Sequence, residues 1–437
     1  MIHRFIDPVR RGVDDWPLRS WAVVLAALAL TLRVGWVIAV DRVGFAFNDA
    51  LMYHTTAMSV SRGEGYVPLT GGPTARWPPG YSTLLGGIYR IVGIEPLAGE
   101  LVNALIGGAT VGVLVLVVGA ALDRQVAIVA GLVLALLPGP ILWTDVLVSE
   151  TLYTALFVVM IGLVLRSSPS WRWALVLGAV IGLGALVRGE AFTWLLLPVA
   201  VWWPQIDRRR LTAHLAVSVV AIAVVIAPWT IRNAIVMDAF VPVATNASQT
   251  LWSGHHPGAT GGQTYPSADF LDRFPEDVRT RELESSKALR DEAIEFMLTH
   301  PIRELQLIPL KIVHLLRGDS YALDWVNAGT EGQPGPLSPI WVERVGVLAD
   351  AGWYGLLAIT VLGGVALGRR FWPRPIGRLA ATSFATAVFL YGFAYYGNYR
   401  YRLPYEPLMV VVASAFVVQV WRWRSGTPVR SSTSSSE

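Results

Sequence analysis

Long stretches without a charged side chain recur along the whole sequence, as in "VNALIGGATVGVLVLVVGAAL" and "VAIVAGLVLALLPGPILWT". They constrain the fold more than any other feature. A helix satisfies its own backbone hydrogen bonds, and about 20 apolar residues cross the ~30 Å hydrocarbon core of a bilayer. With 54% hydrophobic and 15% charged residues, the chain has too much apolar surface for a soluble fold of its 437 residues. The runs are continuous rather than alternating, which excludes a β-barrel. The expected class is an all-α polytopic membrane protein.

Ten spans are expected, at about 19–40, 97–121, 125–139, 141–165, 171–188, 190–205, 211–234, 346–368, 377–396 and 404–422. The first is too long for a signal-peptide core and lacks a small-residue cleavage site, so it reads as retained. Pro138-Gly139-Pro140 breaks one helix from the next. Arginine sets the orientation. Arg4, Arg10, Arg11 and Arg19 precede the first span. Arg124, Arg166 with Arg172, Arg208-Arg209-Arg210, Arg369 with Arg370, and Arg422 with Arg424 fall in alternate loops. Both termini, 1–18 and a disordered tail at 423–437, then lie in the cytoplasm. The long segments 41–96 and 237–345 face outward. This requires 81–93 and 303–317 to lie on the outer surface as amphipathic helices rather than to cross. The organisation is a transmembrane module over 19–236, an outer segment over 237–345, and closing spans over 346–422.

The outer loop after the first span reads "NDALMYHTTAMSVSRGEGYVPLTGGPTARWPPGYSTLLGGIYR". Residues 49–62 contain no proline or glycine and predict a helix, capped by Asn48 or Asp49. Tyr53 lies at i+4 from Asp49, on the same face. Gly63 and Gly65 end the helix, and Pro78-Pro79-Gly80 restarts the chain at Tyr81. Two roles stay open for Asp49. It caps the helix, or it accepts a proton from an incoming hydroxyl at the outer surface.

Charge inside a span costs about 2.5–3.5 kcal/mol on insertion scales, so it usually has a partner or a task. By this topology Asp145, Glu150, Arg188, Glu190, Arg400 and Arg402 collect at the outer end, with Arg76 just ahead of the Pro-Pro-Gly turn. Each has a plain structural reading: Arg188 pairs with Glu190, and Arg400 and Arg402 anchor an interface beside tyrosines. Arg33, inside the first span, reads as a paired structural group. Together the set converges on one outer cavity. Arginine grips two oxygens of a lipid-linked phosphate at once. Carboxylates suit hydroxyl activation, or a divalent cation bound through oxygen; no other cofactor is implied. There is no cysteine, hence no thiol chemistry. No histidine pair stands at i, i+4, so a zinc-protease arrangement is absent. No nucleotide-binding loop is present, and no basic-aromatic tract points to nucleic acid. The glycines of "GAVIGLGALVRG" read as helix packing.

The order "ND…Y…A…GEGY…PT…PPGY…LLGGIYR", a span, then "LPGP…SE", with a late "YRYRLPYEP", resembles the GT-C superfamily of membrane glycosyltransferases. It is most similar to the protein O-mannosyltransferases and bacterial lipid A aminoarabinose transferases, over roughly 20–235. The resemblance implies transfer of a sugar from a polyprenyl-phosphate lipid to a hydroxyl on a glycan, lipid or protein, on the outer side and with inversion. It implies Asp49 as general base, and Arg76, Arg188, Arg400 and Arg402 as holders of the donor phosphate. Tyr53, Tyr81, Asp145, Glu150 and Glu190 would support the substrates. Many relatives carry two adjacent acids where this chain has Asn48-Asp49, which weakens the case for a metal. The segment 237–340 resembles nothing familiar, so acceptor choice would come from it or from a partner. The alternative is a transporter or flippase of lipid-linked substrates, which would show symmetry-related halves and charge at the bilayer midplane.

Overall fold

The computed structural model describes residues 16–41, 45, 48–68, 71–327 and 335–425, with the side chain of Asn48 excluded. The disordered-tail expectation falls almost wholly outside these residues, as does most of the N-terminal segment. Every regular element among the described residues is helical. Six helices are long and apolar enough to cross a membrane: Leu18–Val40, Pro96–Ala121, Arg208–Met237, Pro339–Phe371, Pro375–Ala394 and Tyr399–Arg424. Arg124–Leu136 and Pro138–Asp145, bent by 50°, make a seventh if taken as one span. The other expected spans are helical but shorter. Glu150–Arg166 and Trp171–Val187 have 17 residues each, and Gly189–Trp202 is broken into two short pieces. Among the described residues six or seven helices have the length and apolarity to cross, and the other expected spans are shorter apolar helices.

The expected span 141–165 is not continuous. After Asp145 the chain turns extended at Val146 and becomes helical again only at Glu150. Such a break is tolerated only where protein replaces the missing backbone bonds. Here the side-chain amide of Asn103 donates to the carbonyls of Thr144 and Val146, at 3.3 and 3.1 Å.

Small residues let the helices approach closely. Leu18–Val40 lies against Pro96–Ala121, where a Cβ on Gly108 would sit 3.0 Å from the Ala26 carbonyl oxygen. Trp171–Val187 lies against Arg208–Met237, where a Cβ on Gly182 would sit 2.8 Å from Val225 Cβ. Arg33 is buried in the first contact. Its Nη1 donates to Ala29 O at 3.1 Å, a carbonyl of its own helix, so the partner of this structural group is backbone. It shares the lining of a small cavity of about 40 Å³ with Glu150.

Two helices outside the spans, Asn48–Arg62 and Gly80–Val92, pack on each other and carry an aromatic core of Tyr53, Tyr81 and Tyr89. Segment 237–345 contributes Ala247–Gly254, Val278–Thr299 and Pro301–Leu315. Its helix Val278–Thr299 buries Glu282, Ser285, Leu289, Ala293 and Phe296, one stripe at helical spacing. Two anchors fix the segment to the rest. Glu282 accepts from Thr74 Oγ1 at 2.5 Å, the Ala75 amide at 3.1 Å and Thr245 Oγ1 at 2.8 Å. Buried Lys311 donates to Phe393 O at 3.3 Å and lies 3.1 Å from His255 Nε2, whose Nδ1 meets Glu304 at 2.7 Å.

Candidate active site

Five charged side chains from four distant parts of the chain form one connected row. Arg400 Nη2 donates to Asp49 Oδ2 at 2.8 Å, and Arg400 Nε lies 2.5 Å from Glu150 Oε1. The same Glu150 oxygen accepts from Arg188 Nη1 at 2.6 Å. Arg188 Nη2 then reaches Glu190 Oε1 at 3.2 Å. Each member sits at a helix end. Asp49 is in the first turn of Asn48–Arg62, Glu150 starts its helix, Arg188 follows Val187, and Arg400 lies in the first turn of Tyr399–Arg424. The fold brings these helix ends together, so that residues 351 positions apart are in contact.

Burial grades along the row. Glu150 and Arg400 side chains are 2% and 9% exposed, while Asp49 is 28% exposed. A buried ion pair is costly to desolvate, and removal of one partner strands the other. Here each buried arginine has two acids and an aromatic face. Arg188 lies 5.8 and 5.3 Å from the ring centres of Tyr153 and Tyr401, and Arg400 lies 4.9 Å from that of Trp325.

The row lies along a cavity of about 610 Å³ whose lining does not include Glu150. Asp49, Tyr53, Arg188, Glu190 and Arg400 line it, and Arg76 joins from the first loop. Arg76 donates to Gln249 Oε1 and lies 5.0 Å over Trp77. Burial lowers the Arg76 pKa while Glu282 and Asp49 pull it back up. Tyr53 donates to Ser149 Oγ at 3.4 Å. Burial raises the Tyr53 phenol well above its ordinary range, with Asp49 and Glu150 adding to the rise, so it stays a proton donor.

Three expected members are placed elsewhere. Arg402 is turned into the protein, where it pairs with buried Asp319 and Glu406 and lies 3.6 Å over Trp353. Residues 399–405 form a turn with about three residues per turn, so positions 400 and 402 point to different sides. Asp145 is buried and accepts from Trp36 Nε1 at 3.0 Å. Tyr81 is buried behind Tyr53, edge-on at 5.1 Å, with its hydroxyl 3.2 Å from Asn103. Other members were not foreseen. Glu282, Gln249, Tyr265, Tyr395, Tyr396 and Tyr401 all line the cavity. Glu282 had a readable signal, a carboxylate within the apolar stripe of its helix. Among the described residues no group of three or more His, Cys, Asp or Glu is placed to hold a metal ion.

Residues 76–231 match the family model described as dolichyl-phosphate-mannose-protein mannosyltransferase. The chain superimposes on the oligosaccharyltransferase of Archaeoglobus fulgidus in its apo form with a TM-score of 0.55, at 15% identity, covering 94% of this chain and 51% of that one. It is similar to AglB from the same organism, in complex with an inhibitory peptide and a dolichol-phosphate, with a TM-score of 0.52 at 14% identity, covering 96% and 53%. This chain shares the helical fold of those archaeal oligosaccharyltransferases. It spans about half the length of those archaeal enzymes. ArnT from Cupriavidus metallidurans bound to undecaprenyl phosphate matches at 16% identity over 91% of this chain and 78% of that one, with a TM-score of 0.45 that carries no argument. No curated protein matches in sequence. The family match ends at 231, so Arg188 and Glu150 fall inside it, and Asp49 and Arg400 outside.

Proposed function

We propose that this chain transfers a sugar from a polyprenyl-phosphate donor to a hydroxyl acceptor on the extracytoplasmic side of the membrane, with inversion. The observation that carries the proposal is the row Asp49–Arg400–Glu150–Arg188, of which Asp49, Arg400 and Arg188 line one cavity. A donor with a long apolar tail stays in the bilayer and presents its phosphate at a bundle end. Guanidinium groups suit that phosphate. A carboxylate beside them suits the acceptor hydroxyl. The AglB structure holds a dolichol-phosphate on the same fold, which favours a donor of that class. The alternating arginine-rich loops favour an outward-facing site.

In the proposed step the acceptor oxygen attacks the anomeric carbon while its proton passes to an Asp49 carboxylate oxygen. The bond from that carbon to the phosphate oxygen breaks, and the electron pair leaves with the phosphate. Arg400 and Arg188 stabilise the charge that develops there. Arg400 also holds Asp49 before the donor arrives, so phosphate and carboxylate compete for one guanidinium. Donor binding would loosen Asp49 for its role as base. The charged side chains sit at helix ends rather than mid-helix, which does not favour the transporter alternative.

The test is Asp49→Asn in lipid nanodiscs, assayed with decaprenyl-phosphate-linked sugars. Loss of a general base lowers turnover about 10²–10⁴-fold, with decaprenyl phosphate still bound. Equal turnover by the folded variant removes Asp49 from the chemistry.

A further inference from the structure

We propose that the acceptor is a neutral glycan, bound on the wall that Thr245–Tyr265 adds to the cavity. The proposal rests on the transferase reading above and names its acceptor. The cavity has two chemically distinct parts. The floor carries Asp49, Arg188 and Arg400. Residues 245–265 add a bank of neutral hydrogen-bonding side chains, Thr245, Gln249, Thr250, Ser253, Gln263 and Tyr265, and the segment after them adds Glu276, Arg281 and Glu282 to the same lining.

The bonds these groups already make set what they can offer. Thr250 Oγ1 donates to Asn246 O at 3.1 Å, Ser253 Oγ donates to Thr264 O at 2.6 Å, and Thr245 Oγ1 donates to Glu282. Each hydroxyl has used its proton and keeps oxygen lone pairs for an incoming donor. Gln249 gives its carbonyl to Arg76, which leaves its amide N–H groups. Gln263 Nε2 donates to Tyr265 Oη at 2.6 Å, so the tyrosine proton points onward to a ligand. Burial raises the Tyr265 phenol, with Asp49 adding to the rise, so that proton stays in place. These six side chains therefore offer several acceptors and a few donors and carry no charge of their own, beside the charged lining of Arg76, Glu276, Arg281 and Glu282. The Tyr265 ring is 61% exposed and presents an apolar face beside them.

A sugar chain matches this pattern. It carries many hydroxyls, each a donor and an acceptor, and its C–H faces lie flat on aromatic rings. A site built to bond hydroxyls discriminates strongly for them, because its polar groups are left unpaired by anything else. A peptide is usually read by a strand edge, an apolar groove or charged pockets. No strand occurs among the described residues, and Glu282, the buried acid beside these side chains, is already engaged by Thr74, Ala75 and Thr245. The volume of about 610 Å³ lies within the usual ligand-site range of about 300–1,000 Å³. The sugars would lie along this wall with one hydroxyl reaching Asp49.

The test uses the full chain in nanodiscs and calorimetric binding of three probes. These are linear tri- and tetrasaccharides of mannose, arabinose, galactose and glucose; a Ser/Thr-rich peptide of similar mass; and decaprenyl phosphate. At least one oligosaccharide binds, and Tyr265→Ala or Gln263→Ala weakens it tenfold or more. The exposed position of both residues keeps these variants folded, and an unchanged thermal midpoint verifies it. Peptide binding without oligosaccharide binding overturns the proposal. So does binding of no oligosaccharide, or oligosaccharide affinity equal in wild type and both variants. If decaprenyl phosphate still binds in those cases, only the acceptor assignment falls. If it does not bind either, the transferase reading falls with it.

Discussion

Glu150 joins the two buried arginines, and its removal separates packing from charge. One of its oxygens meets Arg188 at 2.6 Å and Arg400 at 2.5 Å. A hydrogen bond to a charged group contributes about 1.5–3 kcal/mol and a neutral one about 0.5–1.5. Glu150→Gln keeps an acceptor oxygen but loses the charge, about 1 kcal/mol for each contact and about 2 in all. Glu150→Ala removes the acceptor as well. Arg188 is then left with Glu190 at 3.2 Å and Arg400 with Asp49 at 2.8 Å. Breaking a buried pair from one side costs about 3–5 kcal/mol. The assay is thermal unfolding in one detergent, followed by tryptophan fluorescence, with decaprenyl phosphate affinity measured alongside. The midpoints should fall in the order wild type, Gln, Ala. Phosphate affinity should hold or rise in the Gln variant, because a competitor for both guanidinium groups has been weakened. A Glu150→Ala midpoint equal to wild type refutes the idea that this carboxylate holds the row together.

Three further outcomes are expected. Arg402→Met strands Asp319 and Glu406 and should cost about 3–5 kcal/mol, while Asp319→Asn and Glu406→Gln in the same chain restore much of the midpoint. Gly80→Ala places a Cβ 2.8 Å from both the Leu186 carbonyl oxygen and Val187 Cγ2. It should cost about 1–3 kcal/mol of overpacking and reduce turnover, because Arg188 follows directly. Burial lowers the Lys311 pKa from 10.5 to about 8, with Glu304 opposing the shift. Below pH 8 both folded and unfolded chains hold that proton. Between about 8 and 10.5 only the unfolded chain does, so stability should rise with pH across that window and level above it. A pH series of thermal midpoints should show the rise in wild type and not in Lys311→Met.

The site was legible in the sequence where membrane physics forces charge to helix ends. Asp49, Glu150, Arg188, Glu190 and Arg400 could be placed at one level from hydropathy and the alternation of arginine-bearing loops, and they meet. Direction around a helix was harder to read than depth. Arg402 and Asp145 have the right depth but face Asp319 and Trp36 instead. The break before Glu150 was hidden because Asn103, more than 40 positions away, supplies its missing bonds. Segment 237–345 lacks long apolar runs, so its place depends on a few polar anchors such as Glu282 and Lys311. Those contacts are long-range and leave little pattern in the local sequence.

The central claim is that Arg400 and Arg188 hold a lipid-linked phosphate beside Asp49. Its most direct test is decaprenyl phosphate affinity in nanodiscs for wild type against Arg400→Gln, with undecorated decaprenol as the uncharged control. Loss of one charged hydrogen bond, about 1.5–3 kcal/mol, predicts roughly 10- to 150-fold weaker phosphate binding, with decaprenol binding unchanged. Equal phosphate affinity in a folded Arg400→Gln variant contradicts the account.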